Sequence, residues 1–280
     1  KLMRKRISYT WTPKEAKPIK PITGIEVFIL LPKIFIFVII TLKLLILFGI
    51  FQMFNLRGLN SFILKVWSKF ALFLCRFQVV CKGSGIKSGL IVSNHISWID
   101  ILAIMSIQPG RFVAKSEVGR WFIFGNLAKV VGTIFIERNP AKILKQLDAL
   151  EEALKIENLV ILFPEGTSSD GQRILPFNSG LFQAVYQGQG EEKYSTKVQS
   201  LTIYYCTNDH LDKDFFAWYH SRTLAGHIFK VLGTRHRSKI YMTFGNKTRS
   251  GNFSNRKELT QFLFNQVLNN FSSHLSGAIK

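Results

Sequence analysis

Between Val27 and Phe54 the chain is almost entirely apolar, with Pro32, Lys33 and Lys43 as interruptions. From Ile34 to Phe54 it carries one charge in 21 residues. A helix of that length spans the hydrocarbon layer of a bilayer. The run is too long for the apolar region of a cleaved signal peptide, and no small-residue cleavage site follows it. A membrane anchor is therefore expected, with a buried core hairpin as the alternative. Basic residues flank both ends, so charge sets no orientation. Pro32 and Lys43 also fit a shallow or re-entrant course, with Lys43 reaching the headgroups. Next, Arg57, Lys65, Lys69 and Arg76 alternate with Phe62, Val66, Trp67, Phe70 and Phe73. That pattern suits a helix lying in an interface. The expected organisation is a basic tail over residues 1–20, a membrane-anchoring helical segment over 21–80, and a globular domain over 81–280.

Charge distribution narrows the class of partner. The 280-residue chain has a formal net charge of +20, which calls for an anionic partner. Residues 1–82 hold 14 basic and 2 acidic side chains, so the excess concentrates around the apolar run. Anionic headgroups lie beside acyl chains, so an anionic membrane explains that placement and nucleic acid does not. The three cysteines, Cys75, Cys81 and Cys206, form no C-x-x-C pair. Neither a disulfide framework nor a zinc site is expected, and reduced thiols at a cytoplasmic face are the plain reading.

Beyond Lys82 apolar strands alternate with amphipathic helices. Leu90–Ser93, Arg111–Ala114, Thr133–Ile136, Leu159–Phe163, Val198–Cys206 and Lys239–Phe244 read as strands. Ile101–Ile107, a stretch near Trp121–Val131, a helix opened by Pro140 and Arg256–Phe271 read as helices. The fold class expected is α/β, a mixed, mostly parallel sheet flanked by helices, with an N-terminal apolar helical membrane anchor.

Three short blocks carry chemistry. In Asn94-His95-Ile96-Ser97-Trp98-Ile99-Asp100, His95 follows a strand. A neutral imidazole there can take a proton from an attacking alcohol, and Asp100 can orient it if Asp100 lies inside the next helix. The alternative is a capping Asp and a His bonded to backbone. In Phe163-Pro164-Glu165-Gly166-Thr167-Ser168-Ser169, Pro and Gly shape a tight loop after the most apolar strand. Glu165 can hold a glycerol hydroxyl, and the following hydroxyl and N–H groups can hold a phosphate. An ordinary strand-to-helix connection reads the same way. In Gly132-Thr133-Ile134-Phe135-Ile136-Glu137-Arg138, a strand ends in Arg138, whose guanidinium matches phosphate oxygens in pairs. A surface Arg paired with Glu137 is the alternative.

Taken together, the blocks resemble the bacterial lysophosphatidic acid acyltransferases, the 1-acyl-sn-glycerol-3-phosphate acyltransferases of the glycerolipid acyltransferase superfamily. Those proteins carry N-H-x-x-x-x-D, G-x-x-F-I-D/E-R and F-P-E-G-T/S in this order, and the resemblance covers roughly residues 75–210. It implies that residues 81–280 form an acyltransferase domain held at the bacterial inner membrane, at its cytoplasmic face. It implies acyl transfer from acyl-CoA or acyl carrier protein to the sn-2 hydroxyl of a lysophospholipid, with the thioester as co-substrate and neither cofactor nor metal. His95 would be the general base and Asp100 its partner. Arg138 would bind phosphate; Glu165, Gly166, Thr167 and, from Phe112-Val113-Ala114-Lys115, Lys115 would line the substrate site. Two positions depart from the family: Phe177-Asn178-Ser179-Gly180 replaces F-K-x-G, and Val198-Gln199-Ser200 replaces V-x-P. Phe216-Ala217-Trp218-Tyr219 resembles a subgroup that includes lyso-ornithine lipid acyltransferases, which keeps a second acceptor open. A catalytically silent membrane-binding relative is a further alternative.

Overall fold

The computed structural model describes residues 23–122, 124–137, 143–155, 158–186, 195–207 and 210–277. The basic tail over 1–20 and Arg138 lie outside the described residues. Thr23 opens helix α1 (Gly24–Met53) with a capping box: the Glu26 N–H donates to the Thr23 hydroxyl, and the Glu26 carboxylate accepts from the Thr23 N–H. The helix is long and apolar enough to cross a membrane, and only 6% of its most apolar stretch is buried. That exposure excludes the buried core hairpin, since a core helix hides its apolar side chains. The chain reverses through Asn55, at φ 54°, and helix α2 (Arg57–Leu74) returns alongside. Trp67 Nε1 donates to Thr41 Oγ1 at 3.0 Å, and the Trp67 ring packs on Phe37. Helix α2 buries Ile63, Ala71, Leu72 and Leu74 while Phe62 and Phe73 stay exposed.

Seven strands follow: β1 (Phe77–Lys82), β2 (Gly89–Ser93), β3 (Arg111–Lys115), β4 (Ile134–Ile136), β5 (Leu159–Leu162), β6 (Lys197–Cys206) and β7 (Ser238–Arg249). They form one sheet in the order β1-β7-β6-β2-β5-β3-β4. Every pairing is parallel except β6 with β7, so the mixed, mostly parallel sheet is as expected. Strand β1 spans the boundary expected at residue 80; its short run of Phe, Val and Cys is masked by the basic pattern before it. The remaining helices are α3 (Ile99–Ile107), α4 (Phe124–Val130), α5 (Ile143–Lys155), α6 (Leu224–Gly233) and α7 (Arg256–Leu275). Helix α6 is ten residues long, at the lower limit of the length that separates a helix from a buried strand by sequence.

Strand side chains alternate between two cores. Ile91, Ile161, Leu201 and Ile203 pack with residues of α2, α3 and α6. Leu90, Val92, Val160, Leu162 and Val198 pack with residues of α5 and α7. This two-sided burial makes the central strands read as continuous apolar runs. The anchor is bonded to the globular part: Lys230 Nζ on α6 lies 2.8 Å from Glu26 Oε1, and Lys33 Nζ donates to the Leu232 carbonyl at 2.6 Å. A cation on the last carbonyls of a helix also complements its dipole. Strand β6 has a register shift between Gln199 and Leu201, at Ser200, where the family often has proline. Ser200 instead donates to Gln266 Oε1 on α7 at 2.6 Å.

Gly89 starts β2 at φ +108°, and a Cβ there would overlap the Lys197 carbonyl of the neighbouring strand. Gly89→Ala is expected to cost about 1–3 kcal/mol from backbone strain alone, read as a lower thermal midpoint of the detergent-solubilised protein. An unchanged midpoint would show that β2 and β6 separate here without penalty.

Candidate active site

Strands β2, β5, β3 and β4 are adjacent and run in the same direction, so their C-terminal ends share one edge of the sheet. His95 follows β2, Glu165–Thr167 follows β5, Lys115 ends β3, and Glu137 follows β4. Blocks far apart in sequence therefore meet where parallel α/β sheets commonly bind ligands. Arg138 directly follows the last described residue of the β4 edge. Lys115 pairs in register with Ile136, which places it beside that edge.

The His95 loop is built around one buried carboxylate. Asp100 sits in the first turn of α3, fully buried. Its Oδ2 accepts from the Ile96 N–H at 2.7 Å and the Ser97 N–H at 2.9 Å, and lies 2.8 Å from His95 Nδ1. Its Oδ1 accepts from the Tyr205 hydroxyl at 2.6 Å. The five-residue spacing works because His95 lies before the helix and Asp100 within it. Donors on both oxygens, together with the positive end of α3, suit a carboxylate out of water. With Asp100 accepting at Nδ1, the imidazole keeps its proton there and its lone pair on Nε2. The ring stacks on Phe163, centroids 4.2 Å apart, which ties the first block to the third.

The third block turns its carboxyl inward. Both Glu165 carboxyl oxygens are buried without a partner in hydrogen-bond geometry. Burial pushes this carboxyl well above the ordinary carboxylate range; the nearby His95 and Leu175 amides oppose the rise and the Asp100 charge adds to it. Gly166, at φ +67°, makes the turn that an L side chain resists. Gly166 and Thr167 are the exposed members of this block. The Asn178 N–H donates to the Pro164 carbonyl at 2.9 Å, so the position without the family's lysine lies against this same turn. His95, Asp100 and Glu165 are thus brought together, with Gly166, Thr167 and Lys115 along the same edge.

Several residues of the site carry no sequence signal. Tyr205 is a β6 residue whose hydroxyl finds Asp100 from 105 positions away. Burial, and then Asp100, push its phenol well above the usual range, so it acts as a donor. Asn94 clamps the loop to β6 by exchanging two bonds with Ile203. Trp98 donates its indole N–H to His227 Nδ1 at 2.9 Å, leaving His227 Nε2–H for the Phe215 carbonyl. Burial pulls the His227 imidazole down to about 4, which keeps it neutral. The Trp218 N–H donates to the Ile96 carbonyl, and its carbonyl accepts from the Ser168 hydroxyl. The 216–219 segment therefore bridges the first and third blocks. Among the described residues no group of three His, Cys, Asp or Glu side chains is arranged to hold a metal ion.

Residues 82–204 match the family model described as acyltransferase. The lyso-ornithine lipid O-acyltransferase of Rhodobacter capsulatus is 34% identical over 171 residues, 61% of each chain. The lyso-ornithine lipid O-acyltransferase of Rhizobium meliloti is 32% identical over 196 residues, covering 67% of this chain and 66% of the relative. The 1-acyl-sn-glycerol-3-phosphate acyltransferase of Neisseria meningitidis is 31% identical over 141 residues, 46% of this chain and 55% of the relative. The chain thus spans less than two thirds of the length of each of these relatives. The crystal structure of PlsC, a 1-acyl-sn-glycerophosphate acyltransferase from Thermotoga maritima, superposes with a TM-score of 0.65. The match covers 89% of this chain and 96% of that one at 18% identity, a likeness of fold.

Two substitutions test the geometry. Tyr205→Phe removes a donor to a charged group, worth about 1.5–3 kcal/mol, and leaves more of the Asp100 charge for His95. The thermal midpoint in detergent is expected to fall accordingly; an unchanged midpoint would show that water replaces the phenol at Asp100. The Glu165 carboxyl binds its proton more tightly folded than unfolded, so its contribution to stability declines as pH rises above about 4.5, its ordinary value. Glu165→Gln removes that dependence. Its thermal midpoint is expected to gain on the parent protein as pH rises, and a pH-independent difference would place the carboxylate in a solvated setting.

Proposed function

We propose that the chain belongs to the glycerolipid acyltransferase family and transfers a fatty acyl group from a thioester donor to the free hydroxyl of a membrane lysolipid. The observation that carries this reading is the 2.8 Å contact between His95 Nδ1 and the buried Asp100 carboxylate. It leaves Nε2 as the base. The acceptor oxygen attacks the thioester carbonyl carbon as its proton passes to Nε2. Asp100 stabilises the imidazolium that forms. The tetrahedral intermediate then expels the thiolate of coenzyme A or of the carrier protein's prosthetic arm, which takes the proton back. No Ser or Cys nucleophile is required, since the lipid hydroxyl attacks directly. Exposed Gly166 and Thr167 offer an N–H and a hydroxyl to the acceptor, with Lys115 and Arg138 supplying charge for an anionic headgroup or for the donor.

Lyso-ornithine lipid is the acceptor favoured over 1-acyl-sn-glycerol-3-phosphate. The two relatives sharing the longest matched stretches described above carry that activity in their names. Asn178 removes a positive charge from the Pro164 turn, where a phosphate-bearing acceptor would use one. The 216–219 segment, which resembles that subgroup, touches the His95 loop directly. Membrane association through α1 brings the site to a substrate that lives in the bilayer, and the cationic chain suits an anionic leaflet. The reading places the globular domain at the cytoplasmic face of a bacterial inner membrane.

Purified protein offered labelled acyl-CoA or acyl carrier protein with each lysolipid is expected to form acylated ornithine lipid. His95→Ala is expected to lower the rate about 10²- to 10⁴-fold in protein that remains folded. Phosphatidic acid as the sole product would keep the mechanism and change the acceptor. No product from any pairing, in folded protein, would leave a silent membrane-binding relative.

A further inference from the structure

After β3 the chain makes a 3-10 turn (Val118–Arg120) and enters α4. This segment exposes Phe122, Phe124 and Val130. Phe122, at 88% exposure, is the most exposed large hydrophobic side chain among the described residues. Its backbone is nonetheless held in place: Gly125 packs so closely on the Gly119 carbonyl that a Cβ would overlap it, and its N–H donates to the Trp121 carbonyl at 2.8 Å. Arg120 and Lys129 flank the apolar groups, both exposed. No acidic residue lies between Glu117 and Glu137.

The patch adjoins the candidate site. The Trp121 ring meets Trp218 edge-on at 6.1 Å, and Trp218 is bonded to the His95 loop and to Ser168. On its other side Trp218 Nε1 donates to the Arg222 carbonyl, just before α6, the helix to which α1 is bonded. A run of contacts thus joins the patch to the membrane helix. We propose that residues 120–122 and 124–130 present a second membrane-contact surface, which seats Phe122 and Phe124 among the acyl chains of an anionic leaflet and sets Arg120 and Lys129 on its headgroups. An apolar tip with a cationic rim fits an anionic bilayer on both counts. Trp121, beside Phe122, is of a residue type enriched at that boundary. The inference rests on the membrane association of α1 and is independent of the chemistry assigned to His95.

The test uses the full chain with Cys75, Cys81 and Cys206 replaced by alanine and a single new cysteine in Phe122→Cys, labelled with an environment-sensitive dye. It is reconstituted in vesicles of phosphatidylethanolamine and phosphatidylglycerol with or without spin-labelled lipid. Lys257→Cys, on α7 across the sheet from α1 and α2, serves as the control. The dye at 122 is expected to emit at shorter wavelength than the control and to lose emission to the spin label. Adding Arg120→Glu and Lys129→Glu is expected to reduce that loss in anionic vesicles and not in zwitterionic ones. Water-like emission without quenching at 122 would overturn the proposal. Shielding that arises only on addition of acyl carrier protein would overturn it in favour of a protein partner.

Discussion

The Asp100 carboxylate organises the site. A fully buried carboxylate needs donors around both oxygens, and each donor that it finds fixes a different part of the molecule. The Ile96 and Ser97 amides set the path of the loop, His95 takes its ring orientation, and Tyr205 links the loop to β6. Asn94, on the same loop, repeats the attachment to β6 through backbone groups. The loop is thus determined by polar satisfaction, and the strands on either side of β2 are determined by apolar packing. The two meet at His95, whose ring lies on Phe163 at the end of the β5 run.

The fold was largely legible because its signals are local. Apolar runs such as Leu159–Phe163 read as strands, and amphipathic stretches such as Arg256–Phe271 as helices, and the structure has β5 and α7 there. Strand β1 and helix α6 were not read: one is short and lies inside a basic pattern, the other is brief, and both are decided by tertiary packing. The blocks around His95 and Glu165 were visible as residue types at fixed spacing. The inward turn of the Glu165 carboxyl was not, because burial of a loop side chain depends on what closes over it. Tyr205 was invisible for a related reason. A tyrosine in a strand reads as core, and only the assembled sheet sets its hydroxyl against Asp100.

The apolar N-terminal run illustrates the same division. Sequence length alone permits both a core hairpin and a membrane helix. Exposure along α1 removes the core hairpin. Helix α2 combines the two behaviours, with one face against α3 and the core while Phe62 and Phe73 face outward. Acceptor choice is a finer matter, and the proposal for it draws on Asn178 against the Pro164 turn and on the 216–219 bridge between the blocks.

The bonds between α1 and α6 have a mechanical consequence. An anchor joined to its domain by a loose linker would let the domain drift above the surface. Here Glu26 and Lys33 are held by Lys230 and the Leu232 carbonyl at the start of the membrane helix. With α1 in a bilayer, a change in its tilt would be passed through these two bonds to α6 and the sheet it packs on. Under the proposed reading, a bilayer thin enough to lean the helix would also lean the edge that carries His95, so bilayer thickness would set the height of the site above the lipid.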